Sequence, residues 1–288
     1  MPDLTVFYSD DYVAAAHAFD TTRKSQHVAE AIQSIAKVTA PTVEFDVRRI
    51  HSRQYVKAVS TGTPKMLAES QGFQWDLGLA TMAAAHTNGL VSAVDRVLGH
   101  GDMRSGSLSS GLHHASFSEG GGFCTYNGLA AAAQAALDFG ADRILCLDLD
   151  AHCGGGTFDI MGDDPRFTQL DVSVSPFDQW DPSSTPFPGD HRLVLSNPSR
   201  YLADVTDVME QVRSERWDLV IYNAGVDPVN CGVSARDVWA REAIVSAMLA
   251  DQPAVFALAG GYTWGSVTMD ELTELHWYTV DQWAQAVS

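Results

Sequence analysis

The chain has 288 residues, 45% hydrophobic and 19% charged, with a formal net charge of −18 at pH 7. That is enough apolar material for one large core, and so acidic a surface repels nucleic acid and anionic membranes and favours cationic partners. No run of about 18 apolar residues, no signal-peptide start and no CxxC spacing among Cys124, Cys146, Cys153 and Cys231 is present. The expectation is a cytoplasmic protein with free thiols and no membrane-spanning helix.

In chain order, residues 127–139 form the first clear element, an Ala/Leu-rich helix opened by Asn127 as cap and closed by Gly140. Residues 143–149 follow as a short apolar strand of the kind buried on both faces of a parallel sheet. Residues 175–188 hold four prolines and read as a long surface loop. An amphipathic helix is expected over 201–216, a second buried strand over 217–223, another helix over 234–250 and a third strand over 254–259. Strand alternating with helix gives an α/β fold: one domain over 1–288, with a mostly parallel central sheet flanked by helices. No linker or repeat divides it.

Ligands of open parallel sheets bind beyond the carboxyl ends of the strands. After the first expected strand come Asp148, Asp150 and His152, at alternate positions and so on one side. Carboxylates crowded out of water cost several kcal/mol each unless a positive charge compensates. Asp227 follows the second strand and Tyr262 the third. Asp150, His152 and Asp227 are a ligand set for a divalent ion with one open position, and Asp148 then orients another group. The bland alternative is that Asp150 and His152 only cap a turn. Upstream, the tandem His113 and His114 sit between glycines and suit general acid–base work. The glycine runs 120–122 and 154–156 match no phosphate-binding pattern and read as tight loops.

These elements together resemble the histone deacetylase and acetylpolyamine amidohydrolase superfamily, most closely the class IV histone deacetylases. The likeness runs through His17-Ala-Phe-Asp20, Ile50-His-Ser-Arg-Gln-Tyr-Val56, Gly111-Leu-His-His-Ala115 and Gly120-Gly-Gly-Phe-Cys124. It continues through Asp148-Leu-Asp-Ala-His152, Pro188-Gly-Asp190, Tyr222-Asn-Ala-Gly-Val-Asp227 and Gly260-Gly-Tyr262. The resemblance implies an arginase/deacetylase-like fold and metal-dependent removal of an acyl group from an amine. It implies Zn²⁺, with Fe²⁺ as the alternative, on Asp150, His152 and Asp227, and a structural K⁺ on backbone carbonyls around 148–152. His114 would be the general base and acid, His113 its electrostatic partner held by Asp148, and Tyr262 the oxyanion donor. Phe123, with Gly122 before it, would wall the acyl-lysine tunnel. The partner implied is an acylated amine, as a small molecule or an acyl-lysine peptide.

Two departures stand out. The family places Asp or Asn at the position of Gly155 to contact the second histidine, so His114 must be oriented by water, backbone or another residue. Cys153 stands where the family often has His. Two other functions remain open on this sequence. An arginase-like ureohydrolase with two manganese ions shares the fold, but Gly154 and Val229 stand where its second-metal carboxylates belong. A non-catalytic acyl-amide binding protein would require Gly155 alone to disable the site.

Overall fold

The computed structural model describes residues 4–16, 19–187, 191–265 and 267–286. His17 and Ala18 of the first family motif, and Pro188–Asp190, lie outside them. Eight strands form one sheet: β1 (Thr5–Phe7), β2 (Lys37–Thr39), β3 (Arg104–Ser107), β4 (Ile144–Asp148), β5 (Phe167–Ser173), β6 (Arg192–Leu195), β7 (Leu219–Asn223) and β8 (Ala254–Ala257). Their order is β2-β1-β3-β8-β7-β4-β5-β6, and every adjacent pair is parallel. Nine helices are described: α1 (Asp20–Ala31), α2 (Arg53–Thr61), α3 (Lys65–Ala68), α4 (Leu77–Val94), α5 (Gly128–Asp138), α6 (Gly155–Met161), α7 (Tyr201–Ser214), α8 (Ala235–Met248) and α9 (Met269–Gln285). None of them is long and apolar enough to cross a membrane.

The three strands and three helices expected from the sequence all form, with ends shifted by at most two residues. The apolar runs are continuous because the central strands are covered on both sides. Along β4, Leu145 and Leu147 face a core that includes Val28 of α1, Val205 of α7, Val245 of α8 and Leu275 of α9. Ile144 and Cys146 face the opposite core, with Leu90 of α4, Leu129 of α5 and Met161 of α6. The sequence pattern thus encodes a three-layer α/β/α arrangement. Asn127 caps α5 as expected, accepting from the Ala130 N–H at 2.9 Å.

The loop after β5 corrects the simple expectation of a surface loop over 175–188. Trp180 is buried, and its Nε1–H donates to the buried Asp171 at 2.9 Å. The Phe177 carbonyl accepts from the Cys153 N–H at 3.0 Å. Apolar and aromatic side chains among the prolines fold this segment back onto the carboxyl end of the sheet. Five adjacent strands, β3-β8-β7-β4-β5, therefore send their carboxyl-end loops to one place.

Candidate functional site

Beyond the carboxyl ends of these strands, Asp150, His152 and Asp227 converge. Asp150 Oδ1 and His152 Nδ1 are 3.1 Å apart, and His152 Nδ1 is 3.1 Å from Asp227 Oδ2. A tetrahedral ion with bonds of about 2.0–2.1 Å separates its ligands by about 3.3 Å, so both carboxylates stand from His152 at a separation that one small cation would impose. Asp227 Oδ2 is buried and accepts no well-formed hydrogen bond among the described residues. A lone pair left in that state is costly, and an ion between the three atoms would satisfy it. The donor set, two carboxylate oxygens and an imidazole nitrogen, fits a divalent metal.

The electrostatics make the same demand. Burial pushes the Asp227 carboxyl up, and the neighbouring Asp150 charge adds to the effect. Burial also opposes ionisation of Asp150, but His113 and His152 hold it well below the usual range. Burial would lower His152, yet its contacts with Asp150 and Asp227 raise it to about 11. The two carboxylates thus bias this imidazole towards its charged form.

Asp148 turns towards His113. Its Oδ2 faces His113 Nδ1 at 2.8 Å. Its Oδ1 accepts from the Asp150 N–H at 3.1 Å and the Asn223 Nδ2–H at 2.9 Å. The His113 and His114 rings lie with centroids 3.9 Å apart. Their environments push them in opposite directions. Burial disfavours the charged form of both, but Asp148 and Asp150 raise His113 to about 10. For His114, burial and the His113 charge prevail and lower it to about 4. Ligand atoms of His114, Asp150 and His152 lie within 4.8 Å of one another, so His114 stands among the candidate metal-binding groups. Cys124 is comparably close to the two histidines, but burial drives its thiol far up, and a neutral thiol is a poor ligand.

Tyr262 is 8% exposed and borders a narrow cleft with His113, His114, Asp150, His152 and Phe123. Burial, then the Asp227 and Asp150 charges, hold its hydroxyl protonated. Phe123 has a left-handed backbone, φ 67°, and its ring packs against Phe19 and Phe73. Gly122 precedes it because the chain must pass over His114: a Cβ there would sit 2.3 Å from His114 Cδ2. Gly154 has no room for a second-metal carboxylate, since its Cβ would lie 2.7 Å from Asp148 Oδ2 and 2.9 Å from Gln169 Nε2.

Several neighbours were not singled out from the sequence. Asp178 Oδ2 lies 2.8 Å from His114 Nδ1, and the Phe177 ring stands edge-on to His114 and His152. Asn230 grips the Tyr262 backbone. Lys24 is buried; it donates to the Gly260 carbonyl and to Thr21 Oγ1, and burial lowers it to about 7 against the pull of Asp227 and Asp150. Arg241, also buried, donates to the carbonyls of Leu149 at 3.0 Å and Gly225 at 2.6 Å, tying together the loops after β4 and β7. The Tyr222-Asn-Ala-Gly-Val-Asp227 motif pointed to Asn223. For Asp178 the only hint was Gly155, the missing partner.

Known proteins resemble this chain over most of its length. The model of the histone deacetylase domain matches residues 14–279. An uncharacterised protein of Picosynechococcus sp. is 31% identical over 235 residues, 74% of each chain. Histone deacetylase 2 of Arabidopsis thaliana is 30% identical over 177 residues, 54% of this chain and 43% of that one. Acetylpolyamine amidohydrolase 2 of Pseudomonas aeruginosa is 50% identical over 60 residues, 20% of this chain and 17% of the other. The crystal structure of the HDA15 HD domain superposes with a TM-score of 0.80, covering 99% of this chain and 90% of that one at 18% identity, a likeness of fold. With a family model matching most of its length, the chain belongs to the histone deacetylase family.

Proposed function

We propose that the protein is a zinc-dependent amidohydrolase that removes an acetyl or longer acyl group from an amine. The observation that carries this reading is His152 standing 3.1 Å from both Asp150 and Asp227, with His114 and Tyr262 on the same cleft. A divalent ion held by those three residues would supply Lewis acidity towards the acyl carbonyl and lower the pKa of a water. His114, neutral at physiological pH with its Nδ1 turned to Asp178, offers Nε2 to take the water's proton and pass one to the leaving amine. His113, cationic beside Asp148, supplies fixed positive charge. Groups whose pKa values are driven apart in this way divide the acid and base roles. The Tyr262 hydroxyl donates to the developing oxyanion, and Phe123, with Gly122 keeping its loop close to His114, flanks the acyl chain.

The substrate class is an acylated amine, either an acyl-lysine peptide or an acyl-polyamine, and the net charge of −18 favours a cationic amine product. Fe²⁺ would fit the same ligands as Zn²⁺. We include a potassium ion on the carbonyls around 148–152, and we take residues 1–288 to act as one catalytic domain. The binuclear reading lacks a ligand at Gly154, where a side chain would collide with Asp148. The decisive assay incubates the purified protein with acyl-lysine peptides and acyl-polyamines of varied chain length and follows release of free amine. Hydrolysis of at least one member supports the reading, and tight binding without turnover across the panel refutes it.

A further inference from the structure

Gly155 removes the side chain that would otherwise steady His114, yet His114 is not left without a partner. We propose that Asp178, from the loop after β5, is the positioning residue of His114, and that glycine at 155 is what admits it. This role rests on His114 serving as the base in the hydrolysis proposed above.

The two positions compete for one volume. A Cβ on Gly155 would stand 2.4 Å from both the carbonyl oxygen and Oδ1 of Asp178, far inside van der Waals contact. A carboxylate can therefore reach His114 from the loop after β4 or from the loop after β5, but not from both. β5 is hydrogen-bonded directly to β4, so its carboxyl-end loop emerges beside the loop after β4.

Asp178 is fixed in place by its surroundings. Its Oδ2 accepts from the Gly156 N–H at 3.1 Å and faces His114 Nδ1 at 2.8 Å. On either side, the Phe177 carbonyl is bonded to the Cys153 N–H and Trp180 is anchored on Asp171. Its backbone is left-handed, φ 59°, a conformation that costs a non-glycine residue about 1–2 kcal/mol and that Asp tolerates better than most. Strain of this kind persists where surrounding contacts overdetermine it. A carboxylate at Nδ1 keeps the proton on that nitrogen, leaving the Nε2 lone pair free. Removing such an outer partner costs about 10–100-fold in activity or metal affinity.

The test uses Asp178→Ala, Asp178→Asn, Gly155→Ala and the double variant Gly155→Ala/Asp178→Ala, with kcat, KM and bound metal measured for each. Histidine-¹⁵N NMR reports the His114 tautomer, assigned through His114→Gln. We expect Asp178→Ala to lower kcat about 10–100-fold with metal and KM retained, and to lose the Nδ1-protonated state of His114. Asp178→Asn, which preserves size and tolerates the left-handed backbone, keeps the fold and falls between. Gly155→Ala displaces the loop, so its loss and that of Asp178→Ala do not add in the double variant. Unchanged kcat with an unchanged His114 tautomer in Asp178→Ala and Asp178→Asn overturns the proposal, as do additive losses in the double variant. If wild-type protein hydrolyses nothing, the proposed function fails, while the NMR measurement still decides whether Asp178 sets the His114 tautomer.

Discussion

Asn230 holds Tyr262 by its backbone: the Asn230 carboxamide donates to the Tyr262 carbonyl at 3.0 Å and accepts from the Tyr262 N–H at 3.1 Å. The Tyr262 ring is stacked on Trp264, with centroids 4.2 Å apart. In the proposed reaction the hydroxyl is thereby placed before substrate arrives, as an oxyanion donor should be. Tyr262→Phe keeps the ring and removes only the donor. It should retain metal and lose about 10²-fold or more in kcat. Asn230→Ala should lower kcat through misplacement of the same hydroxyl, and adding it to Tyr262→Phe should cost little further activity. Steady-state kinetics with metal analysis check both, and full turnover by Tyr262→Phe removes it from the mechanism.

The protein should be acid-labile through histidines remote from the metal position. His51 Nδ1 lies 2.8 Å from the Ser116 carbonyl, so it must donate, while its Nε2 accepts from the Asn127 N–H at 2.9 Å. His86 is built the same way, with Nε2 towards the Tyr12 carbonyl and Nδ1 accepting from the Ser110 N–H. A second proton on either ring would set two N–H groups head to head. Burial lowers His51 to about 4 and His86 to about 3. The unfolded chain, with histidines near 6.5, binds more protons than the folded one below that pH. The stability these groups contribute is thus complete above about pH 6.5 and declines as pH falls towards 4 and 3, by about 1.4 kcal/mol per pH unit per histidine. Urea unfolding from pH 7.5 to 4.5 should show this slope, and His86→Asn should flatten it by about one proton.

Arg241 should matter to stability rather than to chemistry. It is buried with Glu242, which also accepts from the Tyr222 hydroxyl at 2.8 Å. Arg241→Met leaves a buried carboxylate unpaired and uncaps the Leu149 and Gly225 carbonyls, at a cost of about 3–5 kcal/mol. Adding Glu242→Gln removes the orphan charge and keeps an acceptor for Tyr222, so the double variant should be the more stable of the two. Denaturant unfolding measures the difference, and equal stability of single variant and wild type contradicts it.

The sequence made the middle of the sheet legible because β4, β7 and β8 are covered on both faces and so read as apolar runs. β3 gave no such signal. Its Arg104-Ser-Gly-Ser107 is fully buried, but Ser105 satisfies itself on the Thr5 carbonyl, and Gly106 lies against the Phe256 ring, where a Cβ would be 2.2 Å away. Such residues become interior only through their neighbours. Similarly, α1 looks polar, and nothing local predicts that Lys24 reaches the Gly260 carbonyl beneath the site. The candidate ligands were legible because each follows a strand end, where parallel sheets direct chemistry, and the histidine pair because two adjacent histidines between glycines are an unusual pattern. Asp178 was not, because its place depends on a left-handed backbone and on β5 lying beside β4. The absence of a side chain at 155 was readable, but the space it opened was not.

Titration of metal-stripped protein with Zn²⁺, following hydrolysis of an acyl-lysine or acyl-polyamine substrate, tests the central claim most directly. The site of Asp150, His152 and Asp227 predicts no turnover without metal and activity that rises to a plateau at one ion per chain. An Asp227→Asn variant should need more metal to reach it. Activity that requires two ions per chain, or that persists in the stripped protein, would contradict the account.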